Sequence, residues 1–409
     1  MSGSVPTREL STENNKVTVS FNQNVLNIAE EFPPFYTGHG IYLIKLHRYL
    51  ERLGYRYTVV TPRQLPHVPA SEVIAGIQVD RLEAYRKQRF LRFYMQTLAY
   101  LIRRRHTYKV IHINSFHDRF LLLLMLARLL GKKVVVQMAL LGSDDPLTFL
   151  RTFKFGAVRF YFIRLLTTRF FPISTPIEQA CLAAGVPPHK IRKIFQGVDT
   201  RSFAPVAAAQ KVQLRRDLRL PESAPLSIFV GAIIDRKGVR ELLRAWVDVQ
   251  RRVPTATLVL VGPYEFGTEN VNVKGLNAYV GELRQFIAEH ELRVIWVGKT
   301  DQVERYMCAA DVFVFPSKRE GFGNVIIEAM ACGLPCVVTP MDGVARDTVV
   351  HSQTGYIVDV DADLAARVAE LLGNAPKARS MGMRGREVVL QKFDFEQIAP
   401  QYADLYRSM

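Results

Sequence analysis

Apolar positions along the chain come in short continuous runs rather than in alternation with polar ones. The first half carries NVLNIA (24–29), YTVVTP (57–62), YKVIHIN (108–114), KKVVVQM (132–138) and TRFFPIS (168–174). The second half repeats the arrangement with LSIFVGA (226–232), ATLVLVG (256–262), LRVIWVG (292–298), DVFVFP (311–316) and PCVVTP (335–340). A strand that is apolar on consecutive residues is covered on both faces, which is the pattern of a parallel sheet. Between the runs the spacing turns helical, as in IYLIKLHRYLERLG (41–54). Strands alternating with helices predict doubly wound α/β domains, and two series predict two of them. A turn and an Ala-rich stretch, GVDTRSFAPVAAAQ (197–210), separate the series and divide the chain into residues 1–205 and 206–392. Ligands of such folds bind beyond the carboxyl ends of the strands, so the expected site is a cleft between the two domains.

The length of 409 residues agrees with two domains, since one hydrophobic core rarely grows so large. With 48% hydrophobic and 22% charged residues the chain reads as globular. The most apolar run, FLLLLMLARLLG (120–131), is short and contains Arg128, so a buried helix is expected there and no membrane span. Residues 1–15 are polar and lack the pattern of a secretory signal, which predicts a cytoplasmic protein. The four cysteines lack metal-ligand spacing and are read as packing residues.

The formal charge of +16 is lopsided. Residues 1–200 hold 28 Lys+Arg against 13 Asp+Glu, net +15, and the remainder is nearly neutral. The excess gathers in segments 81–106 and 151–171, where Arg and Lys interleave with Phe, Tyr and Leu. Such basic amphipathic stretches suit an anionic membrane surface, which predicts peripheral attachment at the inner face of the membrane. Nucleic acid is not an expected partner, because basic clusters alone are common and would leave the acidic residues discussed next unexplained.

The most informative segment is KREGFGNVIIEAMACGLP (318–335). It reads as the exit loop of a strand followed by a helix that ends near Gly333. Free N–H groups at the start of that helix, from Gly321 to Asn324, would form an anion site suited to a diphosphate. Glu320 would meet the group attached to that phosphate, and Glu328, about two turns in, a more distant part of the same ligand. Carboxylates are natural acceptors for sugar hydroxyls. A second loop, after the strand FVGA, holds Arg236 and Lys237, cations fit to hold a diphosphate leaving group as its bond breaks. A third, FPPFYTGHG (32–40), is a Gly-containing strand-to-helix loop with Gly38.

Taken in order, FPPFYTGHG, IFQGVDTRSFAP (194–205), FVGAIIDRKG, ATLVLVGP, the segment 303–338 and TGYIV (354–358) make the chain similar to the family 4 glycosyltransferases. That resemblance implies the GT-B fold, two Rossmann-like domains facing a central cleft, and a retaining enzyme that uses a nucleotide-sugar donor without a metal or other cofactor. It implies that residues 1–205 bind the acceptor, that 206–392 bind the donor, and that 393–409 pack back on the first domain. Glu320 would contact the donor sugar, the amides of Phe322, Gly323 and Asn324 the sugar or phosphate, and Glu328 the ribose. Lys237 matches the phosphate-binding lysine, while Gly38 would lie near donor phosphate and acceptor. UDP- or GDP-hexose is the implied donor, and a saccharide or lipid-linked saccharide of cell-surface polysaccharide or glycolipid assembly the acceptor.

Departures from the family pattern fall at three places. Ala232 stands where many members have Arg, with Arg236 as the candidate replacement. MALLGSDDP (138–146) lacks the histidine common after the preceding strand, leaving Asp144 or Asp145 as acceptor-site candidates. Gln196 replaces a common Asn. His117 is a further acceptor candidate, whereas DVDAD (359–363) reads as a helix cap by Asp361 or Asp363. The departures also leave open a non-catalytic GT-B subunit, or a basic membrane- or nucleic-acid-binding protein.

Overall fold

The computed structural model describes residues 23–34, 38–63, 65–83, 89–117, 120–265, 273–360 and 362–409. The readings of residues 1–15, of Asp361 and of parts of segments 32–40 and 81–106 lie outside the described residues. The first sheet is built from β1 (Gln23–Ile28), β2 (Tyr55–Arg63), β3 (Ser71–Ile74), β4 (Ile77–Glu83), β5 (Val110–Ile113), β6 (Lys133–Met138) and β7 (Arg169–Pro172). Its order is β3-β4-β2-β1-β5-β6-β7, parallel except for the β3–β4 pair. The second sheet contains β8 (Leu226–Val230), β9 (Thr257–Val261), β10 (Val294–Gly298), β11 (Val312–Phe315), β12 (Cys336–Val338) and β13 (Gly355–Ile357), ordered β10-β9-β8-β11-β12-β13. Both are doubly wound sheets, as expected.

Helices on the first sheet are α1 (Gly38–Arg52), α2 (Arg89–Arg103), α3 (Leu121–Leu129), α4 (Pro146–Thr152), α5 (Gly156–Leu166) and α6 (Thr175–Ala183). The second has α7 (Ala208–Asp217), α8 (Val239–Arg252), α9 (Val273–Glu289), α10 (Val303–Ala309), α11 (Asn324–Ala331), α12 (Ala345–Thr348), α13 (Ala362–Gly373) and α14 (Ala375–Lys392). Asp363 falls in the first turn of α13. None of the helices, among the described residues, is long and apolar enough to cross a membrane.

The cores follow from the strand composition. Every residue of β5, β8, β9, β11 and β12 is buried, as helices on both faces require. Among the described residues, three strands, β3, β4 and β13, were not foreseen. β3 is half-exposed and joins β4 through Ala75 and Gly76, both at positive φ, a two-residue hairpin with weak hydrophobic signal. β13 is only three residues long.

The last helix, α15 (Phe395–Arg407), returns to the first domain and packs on α1. Its polar edge meets the strands: the Tyr55 hydroxyl donates to the Ala403 carbonyl at 2.9 Å, and the hydroxyls of Tyr57 and Tyr406 lie 2.8 Å apart. His112 on β5 is buried between Tyr406 and Gln137, 2.8 and 3.0 Å from their oxygens. Burial lowers its imidazole to about 3, so it stays neutral in this packing.

Candidate active site

Strand order reverses between β1 and β5 in the first sheet and between β8 and β11 in the second. At such switch points the loops diverge and leave a crevice. The loops leaving these four strands carry Gly38, His117, the pair Arg236–Lys237, and Glu320.

In the second domain, Asp235–Lys237 forms a tight turn closed by Gly238 at φ +71°. A Cβ on Gly238 would stand 2.0 Å from the carbonyl oxygen of Pro316, so only glycine lets this loop lie against the exit of β11. The contact is completed by the Lys318 amide, which donates to the Arg236 carbonyl at 2.9 Å. Side chains then converge. Lys237 Nζ donates to Glu320 Oε1 at 2.6 Å, Ser317 Oγ at 2.5 Å, and Arg236 Nη1 reaches the same oxygen at 3.4 Å. Three donors on one oxygen leave the other with its acceptor capacity. Lys237 and Glu320 are both largely buried, with side chains 14% and 10% exposed. Burial pulls the Lys237 ammonium below its ordinary value of 10.5, and the Glu320 carboxylate opposes that shift.

Glu320 leads into α11, whose cap, Gly323, takes φ +80° and which no side chain caps. The first turn therefore keeps N–H groups to donate. Phe322 turns inward between Phe195 and Phe393, at centroid distances of 5.6 and 5.7 Å, and so anchors the loop. Gly321 meets the first domain: a Cβ there would stand 1.6 Å from the carbonyl oxygen of Ala139, beyond β6. Nearby, the Thr175 amide donates to Asp347 at 2.7 Å, also between domains.

A cavity of about 210 Å³ lies between α1 and α11. Gly38, Asn324 and Glu328 line it together, with Val230 at the end of β8, Thr300 and Asp301 after β10, and Glu304 at the start of α10. Lys45 of α1 spans the cleft to Glu328 at 3.6 Å. Burial pushes the Glu328 carboxyl up, and Lys45 opposes it.

The structure thus joins Arg236, Lys237 and Glu320 in one cluster and Gly38, Asn324 and Glu328 in one cavity, with Phe322 and Gly323 in the loop between. The acceptor candidates stand apart. Asp145 caps α4, accepting from the Thr148 amide at 3.0 Å, its hydroxyl at 2.7 Å and the Gly142 amide at 2.7 Å. Asp144 accepts from the amides of Phe116 and Ala139 and so ties two loops, and burial pushes its carboxyl up to about 7. His117 lies 3.1 Å from Glu30 beside a small apolar pocket. Two site residues had no clear signal. Lys45 showed only as a cation on the α1 face that also carries buried Tyr42 and Tyr49, and Ser317 only as a small polar residue after a strand.

Comparison with known proteins bears on the family and the fold. Residues 36–202 match the family described as Glycosyltransferase Family 4, and residues 210–388 that described as Glycosyl transferases group 1. The chain is 30% identical over 224 residues to the N-acetyl-alpha-D-glucosaminyl L-malate synthase of Bacillus anthracis, covering 54% of this chain and 55% of that protein. It is 35% identical over 228 residues to the GDP-mannose-dependent alpha-(1-6)-phosphatidylinositol monomannoside mannosyltransferase of Mycobacterium tuberculosis, covering 52% and 54%. The matches span about half the length of these relatives. Among solved structures, sucrose-phosphate synthase from Thermosynechococcus elongatus superposes with a TM-score of 0.75 at 25% identity, covering 94% of this chain and 98% of that one. Anabaena HepE in complex with UDP and glucose does so with 0.75 at 20% identity, covering 95% and 100%. With both domains matched and their sheets facing one cleft, the chain belongs to the family 4 glycosyltransferases and has the GT-B fold.

Proposed function

We propose that this chain is a retaining hexosyltransferase that takes a UDP- or GDP-sugar and transfers the hexose to a saccharide or lipid-linked saccharide in cell-surface polysaccharide or glycolipid assembly. The observation that carries the reading is the Lys237–Glu320–Arg236 cluster beside the uncapped start of α11. In it, Lys237 and Arg236 exchange part of their contact with Glu320 for the donor diphosphate, the amides of Phe322, Gly323 and Asn324 add donors, and Glu320 accepts from sugar hydroxyls. Glu328 accepts from the ribose in the cavity lined by Gly38. As the bond from the anomeric carbon to the phosphate oxygen breaks, negative charge gathers on the diphosphate and the two cations stabilise it, so the reading requires no metal. The acceptor hydroxyl forms the new bond from the same face, and its proton passes to the departing diphosphate. Loop contacts such as Gly321 against Ala139 close the cleft and exclude water that would hydrolyse the donor. Asp144, Asp145 and His117 remain candidates for the acceptor side, Asp145 acting through the loop it caps.

The basic first domain carries the membrane part of the reading. Exposed apolar side chains line α2 at Leu91, Met95 and Ile102, α3 at Leu122, Met125 and Leu129, and α5 at Val158, Phe162 and Leu165. The spacing puts each set on one face of its helix, and α3 packs beside both α2 and α5. Leu129 is 83% exposed and Phe155, at the entry to α5, 70%. Arg92, Arg103, Arg128, Arg151 and Lys154 are exposed around them. Apolar rows rimmed by cations match the boundary of an anionic bilayer, where a lipid-linked acceptor would be presented.

Transfer of radiolabelled sugar from UDP-glucose, UDP-N-acetylglucosamine or GDP-mannose to lipid-linked saccharides, with chelator present, tests the reading. Product with the donor's anomeric configuration supports it. Product of inverted configuration, or transfer only with divalent metal, overturns the corresponding part.

A further inference from the structure

Behind the donor cavity, Cys308 and Cys332 stand with their Sγ atoms 3.7 Å apart. Each follows by four residues, about one helical turn, an acid that lines the cavity: Cys308 follows Glu304 on α10, and Cys332, at the end of α11, follows Glu328. The Cys308 thiol also donates to the carbonyl of Ala204 at 3.0 Å, in the segment that joins the domains. Arg386 holds the same segment through the carbonyl of Phe203 at 3.1 Å and ties it to Ala331 of α11. Both sulfurs line a second cavity, of about 590 Å³, whose wall includes the exposed Arg379. The other two cysteines differ. Cys181 and Cys336 are fully buried, the first against Met138 Sδ and the second among backbone carbonyls.

We propose that Cys308 and Cys332 are a reversible oxidation site, closed to an intramolecular disulfide by a hydroperoxide, which couples the redox state of the chain to the donor cavity. The Cys308 thiolate attacks one peroxide oxygen, the O–O bond breaks and an alcohol, or water, leaves. Cys332 sulfur then attacks the resulting sulfenic acid, the S–S bond forms, and the oxygen departs as water with the thiol proton. Two thiols and one hydroperoxide become one disulfide, one alcohol and one water. The hydrogen bond with Cys332 lowers the Cys308 thiol below its ordinary value while Cys332 is raised, which makes Cys308 the attacking group. Bonding brings the sulfurs to about 2.0 Å. That draws α10 and α11 together one turn behind Glu304 and Glu328 and removes the hydrogen Cys308 gives to Ala204. The consequence for donor binding rests on the nucleotide-sugar reading of the cavity; the oxidation site does not.

The test treats the full chain with hydrogen peroxide, counts free thiols, maps non-reduced peptides by mass spectrometry, and titrates UDP-glucose and GDP-mannose by thermal shift before treatment, after it and after dithiothreitol. Two of the four thiols should disappear into a Cys308–Cys332 peptide. The binding midpoint of the responding donor should weaken roughly fivefold or more and recover on reduction. Cys308→Ser should form no such peptide, and its midpoint should ignore peroxide. Absence of the cross-linked peptide, or its presence with an unchanged midpoint, would overturn the proposal. A reduced chain that answers to neither nucleotide-sugar sinks the donor reading instead, and the peptide map alone then decides the oxidation site.

Discussion

In the proposed reaction Lys237 is the residue on which the chemistry turns, because its ammonium is held by Glu320 at 2.6 Å in a buried setting. Lys237→Ala should lower turnover by about 10²–10³-fold, the range for removing one preorganised donor to a developing anion. Burial places the Lys237 pKa below 10.5, so its charge is lost at lower pH than for a free lysine. Donor binding should decline on the alkaline side below pH 10.5, and Lys237→Arg, which stays protonated, should move that limb upward. Glu328 shifts the other way. Its folded-state pKa is raised, so its contribution to stability is complete below the ordinary 4.5 and is lost as pH rises through the raised value. Urea melts at stepped pH should therefore show wild type losing ground to Glu328→Gln across that interval. Glu320, Arg236 and Lys237 were legible in the sequence because each sits in a short loop or turn between a clear strand and a clear helix, and Glu328 because it is the acid inside an otherwise apolar helix. Lys45 was not, since its partner lies 283 positions away and only the folded chain brings α1 across the cleft.

Helix α4 separates two roles for the aspartates after β6. If Asp145 serves as the helix cap that its bonds to Thr148 and Gly142 describe, Asp145→Ala should cost about 1 kcal/mol while Asp145→Asn retains most of the stability. Denaturant melts of the two variants, set beside their acceptor KM values, separate a cap from an acceptor contact. The sequence reading took Asp145 only as an acceptor candidate, whereas its role as cap before Pro146 and its contact with Gly142 come from the folded loop. Strand legibility followed burial in the same way. Fully buried strands such as β8, β9 and β11 appear as unbroken apolar runs, whereas the half-exposed β3 and the three-residue β13 give too few apolar positions to stand out.

At the scale of the molecule, two doubly wound sheets were readable from the repeating strand–helix pattern, and the charge asymmetry marked the first domain. The apolar rows that accompany those charges were hidden, because exposure of Leu129 or Phe155 depends on which helix faces the sheets leave uncovered. Replacing Leu129 and Phe155 together by Glu should reduce cosedimentation with phosphatidylglycerol vesicles while leaving donor hydrolysis in solution intact. Binding of wild type should also weaken with salt, since exposed charges are screened beyond about 8–10 Å at physiological ionic strength. Binding that ignores both changes would remove this face from the account. The measurement closest to the central claim is a thermal-shift titration of wild type and Glu328→Ala with UDP-, GDP- and ADP-sugars in the presence of chelator. One nucleotide family should stabilise the wild type, by about 2.7 kcal/mol at a hundredfold excess over Kd, and Glu328→Ala should lose most of that shift. No shift with any nucleotide-sugar, with or without metal, would contradict a donor site between α1 and α11.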